Sequence, residues 1–310
     1  MQGRSTLLST FEKACQPLAK IGLNRIPGTR AVYHFLSELI WLWPSKSVIE
    51  VEGSKMYVNP RAKGPMRTAF RGYVRSRGKE KLTTQLFKQA VKEGGTVVDM
   101  GANIGYFTLL AARLAGKEGK VYAFEPEPHN YEMILKNLAL NGYENVVPMQ
   151  KAVSNAAGTV KLYVSSKDVG AHTLRQHHDK RQFDEKESGE FVEVEAVIPD
   201  EFFKDKKHPI DVIKMDIEGA EMAAISGMDR VIRENKNLKM FIEFYPSAIR
   251  EMGYSPEELV DKLLNVYGFS IMAIDELRIQ SNQCVKVNNV DELMSLCEDE
   301  EKIVNLYLER

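Results

Sequence analysis

Short apolar segments alternate with amphipathic segments along the chain from residue 94 onward. The apolar segments are short and rich in β-branched residues, which is typical of buried strands. The amphipathic segments place apolar residues three and four positions apart, the spacing of one helix face. The pattern predicts strands at Thr96–Met100, Lys120–Phe124, Val146–Ser154, Asp211–Ile217 and Leu238–Phe244.

Helices are predicted between these strands, and glycine residues mark where two of them end. Tyr106–Ala115 precedes Gly116, Pro128–Asn141 precedes Gly142, and a third helix covers Gly219–Glu234. A glycine directly after a helix can adopt the left-handed conformation that terminates it. Alternation of strands and helices predicts an α/β fold, a mostly parallel sheet with helices on both faces. Ligands of such sheets bind beyond the carboxyl ends of the strands.

The remaining segments flank this alternating region. Residues 1–45 are predicted to form an amphipathic helical segment, with its helix at Val32–Trp43. Residues 46–290 form the expected main domain, with its core at 94–275, and residues 291–310 an acidic helix or tail. Two further helices are predicted, one at Lys79–Lys92 and one starting at Ser255. The other predicted elements are three strand pairs: a β-hairpin at Val48–Val51 and Lys55–Val58, an antiparallel pair at Val160–Val164 and Phe191–Val197, and a closing pair at Phe269–Ile274 and Cys284–Val287. The antiparallel pair brackets the polar loop Ser165–Glu190.

Charge is polarised along the chain although its total is nearly zero. The 310 residues carry 42 lysines and arginines and 43 aspartates and glutamates, for a formal net charge of −1. Eleven basic residues and one acid lie in Lys55–Lys92, whereas seven acids and two basic residues lie in Asp291–Arg310. The balanced total argues against a general nucleic-acid-binding protein, but the basic segment leaves an anionic partner open. With 44% apolar residues the chain can bury a sizeable core, which excludes the disordered class.

The cysteines and the apolar runs predict a cytoplasmic protein. Cys15, Cys284 and Cys297 are far apart in sequence and form no CxxC pair. Reduced thiols in a cytosol are therefore expected rather than disulfides. No secretory signal pattern opens the chain, and the longest apolar run, Ala31–Trp43, is too short to span a bilayer.

The turn after the first strand of the alternating region is rich in glycine. The sequence DMGANIGY places Gly101 and Gly105 on either side of Asn103, soon after Asp99. The two glycines allow a tight turn and a close approach of the backbone to a ligand or to the next helix. The N-terminus of that helix offers unpaired N–H groups. The spacing is GxxxG rather than GxGxxG, which argues against a dinucleotide-dependent dehydrogenase.

A carboxylate follows the second strand. Glu125 lies twenty residues after Gly105, in the segment FEPEP. An acid at the end of the second strand of a doubly wound sheet can accept hydrogen bonds from both hydroxyls of a ribose. Glu127, by contrast, is placed to stabilise the start of the next helix. We therefore predict that Glu125 contacts a ribose.

Acidic residues also follow the fourth strand and end the fifth. Asp216 and Glu218 fall on the same side of an extended segment, and Glu221 is one helical turn further on. Glu243 lies near the end of the fifth strand, where it is either a rim residue or a substrate contact. Carboxylates that converge repel one another unless a cation or a proton lies among them. The pattern indicates a site for positive charge at this edge; for Glu221, a solvated helix start is the alternative.

Taken together, these motifs resemble one known family. The segments are VVDMGANIGYF, VYAFEPEPHNYEMILKNLALN, KAVSNAAGTVKLYV, IKMDIEGAE and FIEFYPSAIREMGYSPEELVDKLLNVYGFSI. In this order and spacing they resemble the FkbM family of S-adenosylmethionine (SAM)-dependent methyltransferases, from about Val48 to Asp275. The resemblance implies the class I methyltransferase fold, a Rossmann-like doubly wound sheet with an antiparallel last strand. It also implies methylation of a hydroxyl on a sugar, glycan, glycolipid or similar small molecule.

The resemblance assigns roles to individual residues. Asn103 and its flanking glycines, with Asp99 nearby, are expected to surround the methionine part of SAM, and Glu125 is expected to hold the ribose. Ala152 and Val153 are expected to flank the adenine. SAM carries no phosphate, so a basic clamp is not needed, and its sulfonium and ammonium groups suit an acidic edge. The expected cofactor-binding residues are Asp99, Gly101, Asn103, Gly105, Glu125, Ala152, Val153 and Asp216.

Methyl transfer to a hydroxyl needs in-line alignment and benefits from a base. The expected bases are Asp216 and Glu218, followed by Glu221 and Glu243. His172, in the polar loop, is a further candidate because imidazole has a suitable pKa; the alternative is a loop histidine without a chemical role. Carboxylate oxygens would also suit a divalent cation such as magnesium. No ligand spacing demands a metal, however, and none is predicted.

The sequence leaves several alternatives open. An RNA methyltransferase could use the basic residues of 55–92, with Phe70 and Tyr73 stacking on bases, although no separate RNA-binding module is recognised. A non-catalytic binding protein on the same scaffold is another alternative. The apolar stripe of Val32–Trp43 is expected to pack on the catalytic domain or on a second subunit. The alternative is that this segment contacts an anionic membrane surface, an interaction for which its two tryptophans are suited.

Overall fold

The computed structural model describes residues 48–57, 80–164, 173–174, 191–206, 208–274, 284–297 and 302–310. Three predictions lie wholly or largely outside these residues: the amphipathic helix at Val32–Trp43, the basic segment between Tyr57 and Glu80, and His172 in the polar loop. In the ranges that are described, no helix is both long enough and apolar enough to cross a membrane.

The strands of the described residues build one large sheet and two smaller ones. In chain order they are β1 Val48–Val51, β2 Ser54–Tyr57, β3 Thr96–Met100, β4 Lys120–Phe124, β5 Val146–Met149, β6 Ala152–Val153, β7 Gly158–Tyr163, β8 Phe191–Val197, β9 Val212–Met215, β10 Lys239–Phe244, β11 Ser270–Ile274, β12 Cys284–Val287 and β13 Val304–Glu309.

An eight-stranded sheet forms the centre of the fold, in the spatial order β12-β11-β13-β10-β9-β3-β4-β5. The strands from β5 across to β10 are mutually parallel. Strand β13 is antiparallel to both of its neighbours, β10 and β11. This doubly wound sheet confirms the predicted α/β fold and its antiparallel last strand.

Helices cover both faces of this sheet because successive residues of its strands point to opposite sides. Val97 belongs to the core cluster that contains Phe107, whereas Val98 belongs to the cluster that contains Ile225 and Ile232. The helices are α1 Lys81–Ala90, α2 Tyr106–Ala115, α3 Pro128–Asn141, α4 Pro199–Phe202, α5 Glu221–Ser226, α6 Asp229–Glu234, α7 Pro246–Glu251, α8 Pro256–Asp261 with a π-helical continuation at Lys262–Val266, and α9 Val290–Leu296.

The predicted antiparallel pairs are confirmed: β1 pairs with β2, β7 with β8, and β11 with β12. The β1–β2 hairpin docks on α3 through asparagine side chains. Asn137 accepts a hydrogen bond from the backbone of Tyr57 at 2.6 Å and donates to the carbonyl of Ile104 at 2.8 Å. The hairpin is therefore joined through one buried side chain to the turn that follows β3.

Two predicted elements are divided in the structure. The strand predicted at Val146–Ser154 separates into β5, which stays in the large sheet, and β6, which joins β8 and β7 in a three-stranded sheet. The helix predicted at Gly219–Glu234 begins only at Glu221 and is interrupted at Gly227, between α5 and α6. A Cβ on Gly227 would lie 2.6 Å from the carbonyl oxygen of Ser154. The interruption thus lets the helix backbone pack directly against the chain that leaves β6.

The prediction of an acidic helix or tail at residues 291–310 is wrong beyond α9. Strand β13 lies inside the large sheet, between β10 and β11, and Leu306 and Leu308 are fully buried. The negative charge of this segment is concentrated in residues 298–301, before the strand, and β13 itself carries one acid, Glu309. Averaging charge over the whole segment concealed the apolar strand. The main domain therefore extends past residue 290 to the C-terminal strand.

Candidate active site

A cleft opens at the carboxyl ends of β3, β4 and β9. Its described lining comes from the turns after these strands and from β6, β7 and β10. This is where doubly wound sheets bind their ligands. The predicted site residues that line the cleft are Gly101, Asn103, Glu125, Ala152, Val153, Asp216, Glu218 and Glu243.

The turn after β3 is held in shape by left-handed backbone positions. The φ angles are +81° at Gly101, +52° at Asn103 and +95° at Gly105. A Cβ on Gly101 would lie 1.8 Å from the backbone oxygen of Asp216, so only glycine fits there. Gly105 directly precedes α2 and lies outside the described lining. Its place in the structure is at the entry to the helix rather than at the cleft surface.

Glu125 lines the cleft and is tied to the backbone. Its Oε2 accepts a hydrogen bond from the Asn103 N–H at 2.7 Å, and its Oε1 accepts one from the Glu127 N–H at 2.9 Å. Burial raises the pKa of the Glu125 carboxyl to about 8, against the effect of these N–H donors. Further hydrogen-bond donors, such as a pair of hydroxyls, would favour its ionised form.

Asn130 is a lining residue that the sequence reasoning missed. It lies in the first turn of α3, where the Glu127 carboxylate accepts a hydrogen bond from the Asn130 N–H at 2.6 Å, which confirms Glu127 as a helix cap. Asn130 is 1% exposed, and its side chain hydrogen-bonds Glu125. The available signal was a polar residue in the first turn of a helix that follows a ligand-binding strand.

Asp99 lies beneath the turn rather than on the surface of the cleft. It is buried, and the hydroxyl of Thr108 donates a 2.5 Å hydrogen bond to its Oδ2. Burial raises the pKa of Asp99 to about 6. Asp99 thus ties β3 to α2 and supports the turn from below, and it is not among the described residues that line the cleft.

Three carboxylates converge at one edge of the cleft, which we call the acidic edge: Asp216, Glu218 and Glu243. Oxygen atoms of all three lie within 4.8 Å of one another. Glu218 has a φ of +53°, a strained conformation for a non-glycine residue and one that is common at functional sites. Gly219 follows with a φ of +97°, and a Cβ there would lie 2.7 Å from the carbonyl oxygen of Ala248. Close packing against α7 therefore holds this turn.

Glu221 does not join the acidic edge, contrary to the prediction. Its Oε1 accepts hydrogen bonds from the N–H groups of Ile217 and Gly219, at 3.2 Å and 3.3 Å, and its Oε2 is buried with no hydrogen-bond partner among the described residues. Burial raises the pKa of Glu221 to about 7. Because α5 begins only at Glu221, the side chain turns back to bind the preceding turn instead of facing the cleft.

Lys214 is the basic counterpart of the acidic edge, and the sequence reasoning missed it. It lies within β9 and is 1% exposed. Its Nζ lies 3.3 Å from Oδ2 of Asp216 and 5.2 Å from the ring centre of Phe107. The available signal was a lysine inside an otherwise apolar strand, VIKM.

The polar loop between β7 and β8 returns to the cleft at Thr173. The backbone of Thr173 pairs with that of Tyr163 through bonds of 2.8 Å and 3.1 Å, and its hydroxyl donates to the carbonyl of Glu218 at 3.1 Å. Leu174 lines the cleft. The loop is thus joined to the acidic edge at this point. His172 lies outside the described residues, so its role remains a prediction.

The chemistry of the lining fits the expected cofactor. Lys151 is the single basic side chain in the described part of the lining, which matches a ligand without phosphate. Glu125 presents a buried carboxylate to the cleft, and Ala152 and Val153 present apolar surface. The acidic edge suits cationic groups. A nucleoside that carries positive charge matches this arrangement.

Known proteins of similar sequence include several methyltransferases. Residues 99–271 match the profile of the methyltransferase FkbM domain. The methyltransferase sdnD of Sordaria araneosa is 31% identical over 198 residues, which are 56% of this chain and 73% of that protein. Methyltransferase 1 of Beauveria bassiana is 25% identical over 147 residues, which are 43% of this chain and 58% of that protein.

Among solved structures, the methyltransferase FkbM from Methylobacillus flagellatus KT is similar with a TM-score of 0.40 and 16% identity, over 73% of this chain and 50% of that chain. The domain match covers more than half of the chain and includes the turn after β3, Glu125 and the acidic edge. The chain therefore belongs to the FkbM family of SAM-dependent methyltransferases.

Proposed function

We propose that the protein transfers the methyl group of SAM to a hydroxyl of a sugar, glycan, glycolipid or similar small molecule. The observation that carries this proposal is the acidic edge, where the oxygens of Asp216, Glu218 and Glu243 lie within 4.8 Å of one another beside the cleft. A hydroxyl is a weak nucleophile, and a carboxylate within hydrogen-bond reach supports its methylation.

The cofactor end of the cleft is formed by the turn after β3 and by Glu125. Bound SAM supplies a methyl group on a sulfonium, which is a good leaving group. The Glu125 carboxylate would accept hydrogen bonds from the ribose hydroxyls, and the Asn103 N–H holds that carboxylate in place. Ala152 and Val153 would pack against the adenine. The residues at this end therefore bind and orient the cofactor.

Asp216 is the proposed base at the other end. Its carboxylate borders the cleft, and the Lys214 ammonium lies 3.3 Å from one of its oxygens. Asp216 would accept a hydrogen bond from the acceptor hydroxyl, orient that oxygen and take up the proton that the hydroxyl loses when the methyl group passes from sulfur to oxygen. Glu218 and Glu243 accept hydrogen bonds from further hydroxyls, which suits a polyhydroxylated acceptor.

Charge favours such an acceptor over RNA. In the described lining the basic side chain is Lys151, and its Nζ is paired with Oε1 of Glu195 at 2.5 Å. The carboxylates of the acidic edge would repel a phosphate backbone. RNA methylation would depend on the basic residues between Tyr57 and Glu80, which lie outside the described part of the chain.

Transfer of labelled methyl groups from SAM tests the proposal. The panel consists of monosaccharides, lipid-linked glycans and transfer RNA, each at several salt concentrations. We expect label in a sugar or glycolipid with little response to salt. Label in RNA alone, falling steeply as salt rises, would contradict the proposal and support an RNA methyltransferase.

Two variants locate the base. Asp216→Asn should lower turnover by at least about 100-fold while SAM binding remains measurable. Asp261→Asn, which changes an exposed acid on α8, is the matched control and should have no effect. Undiminished turnover in Asp216→Asn would exclude Asp216 as the base. Because the proposal uses no metal ion, EDTA should leave turnover unchanged; a loss restored by magnesium would contradict this.

A glycolipid acceptor would bring the protein to the cytoplasmic surface of a membrane. The apolar stripe of Val32–Trp43, close to basic residues, suits an anionic surface. Co-sedimentation with anionic liposomes compares the intact chain with one that begins at Ser45. Weaker sedimentation of the shortened chain would support membrane contact. Equal sedimentation would contradict it and favour packing of the stripe on the domain or on a second subunit.

A further inference from the structure

Lys214 is buried at the centre of a charged network below the acidic edge. It lies in β9, between β3 and β10, and is 1% exposed. Its Nζ lies 3.3 Å from Oδ2 of Asp216 and 5.2 Å from the ring centre of Phe107. An ammonium group at such a position has lost most of its water shell, so it persists only where fixed partners stabilise it.

Acidic groups face Lys214 from four segments around it, while α2 contributes the ring of Phe107. Burial by itself lowers the pKa of Lys214, but the charges of Asp216, Glu80, Glu243 and Asp99 raise it, and the pKa ends above its ordinary value. These acids come from the segment after β9, the residue before α1, β10 and β3. Lys214 therefore keeps its proton and acts as a fixed positive charge rather than as a base.

Glu80 connects this network to the region before α1. It has a φ of +53°, and its Oε2 lies 3.5 Å from Nδ2 of Asn305. Asn305 in turn pairs with Glu243 across β13 and β10. A left-handed conformation at a non-glycine residue costs free energy that the surroundings must offset. The backbone at Glu80 is thus held where its carboxylate faces the charges below the cleft.

We propose that Lys214 is a positioning residue of the methyl-transfer site, whose ammonium group holds the Asp216 carboxylate at the cleft edge and offsets part of the acidic charge there. This inference rests on the proposed function, because it places SAM in this cleft. Three carboxylates without a positive charge among them would retain protons and would bind any cation tightly. With Lys214 in place, Asp216 stays available to the acceptor hydroxyl, and the cleft prefers a cationic ligand less strongly.

The test uses two probes, SAM and S-adenosylhomocysteine (SAH), with binding measured by calorimetry at about pH 8.5. The probes differ in the methyl group and in the positive charge on sulfur, so the ratio of their dissociation constants reports the charge of the site and cancels changes common to both. Lys214→Met should shift this ratio in favour of SAM by at least about fivefold, because a positive charge is removed. Lys214→Arg, which keeps the charge, should leave the ratio within about twofold.

A matched control and a double variant complete the experiment. Lys239→Met removes a lysine at the opposite edge of the sheet, at the start of β10, and should leave the ratio unchanged. Asp216→Asn should shift the ratio toward SAH. The double variant removes one charge of each sign and should return the ratio toward the wild-type value. If the Lys214→Met variant alone fails to fold, the ratio of the double variant compared with that of Asp216→Asn still measures the effect of removing the Lys214 charge.

The inference and the proposed function fail in different ways. If Lys214→Met weakens both probes equally, or leaves the ratio unchanged, Lys214 is merely structural and the inference is overturned. Normal binding of SAM by the wild-type chain would in that case leave the proposed function intact. If the folded wild-type chain binds neither probe, the proposed function is overturned and the inference falls with it.

Discussion

The backbone oxygen of Asp216 lies where a side chain on Gly101 would stand. A Cβ built on Gly101 comes within 1.8 Å of that oxygen, and the Asp216 N–H donates to the carbonyl of Met100 at 2.9 Å. The turn after β3 and the acidic edge are therefore in direct backbone contact. A change in either one is transmitted to the other without passing through a flexible side chain.

Gly101→Ala should lower the free energy of unfolding by more than about 3 kcal/mol or prevent folding, because the new Cβ collides with backbone and φ is left-handed. Gly142→Ala is the matched control. It also has a positive φ, +64°, but no atom lies within 4 Å of its added Cβ. We expect it to cost about 1–2 kcal/mol. Urea unfolding followed by circular dichroism measures both, and equal losses would contradict the close contact at Gly101.

SAM should bind more tightly as the pH rises from about 6 to 8. Burial raises the pKa of Glu125 from 4.5 to about 8 in the free protein, so its carboxyl is protonated at the lower pH and ionised above the upper one. Ribose hydroxyls donate to the ionised form. The dissociation constant should therefore fall, by at most about tenfold per pH unit, and level off above this range.

Glu125→Gln should weaken SAM binding at about pH 8 and remove its pH dependence, as measured by calorimetry. Glu144→Gln, which changes an exposed acid just after α3, should behave as wild type at each pH. A wild-type dissociation constant that is the same at both ends of the range would show that Glu125 does not hold the ribose in its ionised form.

Glu221→Gln should keep SAM affinity and turnover but alter how stability depends on pH. The amide oxygen can still accept the hydrogen bonds from Ile217 and Gly219. Burial raises the pKa of Glu221 from 4.5 to about 7, so between these values the native state holds a proton that the unfolded chain has released. The free energy of unfolding therefore falls as the pH rises through this window.

Urea unfolding at several pH values across that window measures the effect of Glu221→Gln. The variant should show a flatter decline in stability than wild type. A catalytic Glu221 would give the opposite pattern, a large loss of turnover with the pH dependence of stability unchanged. That result would restore the role predicted from the sequence.

Leu306→Ala should lower the free energy of unfolding by about 2–5 kcal/mol, since it leaves a cavity in the middle of the sheet. Leu306 is fully buried in β13, between β10 and β11. Ile303→Ala is the control: this residue precedes the strand, is 42% exposed, and should cost no more than about 0.5 kcal/mol. Thermal or urea unfolding compares the two. A small loss in both would indicate that the C-terminal segment is a dispensable tail.

The parts of the site that could be predicted from the sequence depend on local chemistry. Gly101 and Asn103 stand two residues apart in a turn where both have a left-handed backbone. Glu125 and Asp216 follow strands that the apolar pattern already predicts, and the topology of a doubly wound sheet brings those strand ends together. For these residues the spacing along the chain is enough to predict most of their arrangement in the site.

The parts that could not be predicted depend on packing between distant segments. Lys214 interrupts the apolar pattern of β9, and its acidic partners Asp99 and Glu243 lie on the neighbouring strands β3 and β10. Because these partners are distant in sequence, the pattern of β9 alone does not reveal them. The orientation of Glu221 depends on where α5 begins, which is set by contact of the preceding turn with α7. Strand β13 inserts between β10 and β11, which come before it in the chain. No local pattern indicates that β10 and β11 leave room for a further strand between them.

Binding of SAM to the intact chain, measured by calorimetry at about pH 8, tests the central claim most directly: the cofactor occupies the cleft between Glu125 and the acidic edge. Wild type should bind a single SAM molecule per chain. Glu125→Ala should bind at least about tenfold more weakly, and the exposed control Glu144→Ala should bind as wild type does. A folded wild-type chain that does not bind SAM, or an affinity that Glu125→Ala leaves unchanged, would contradict the account.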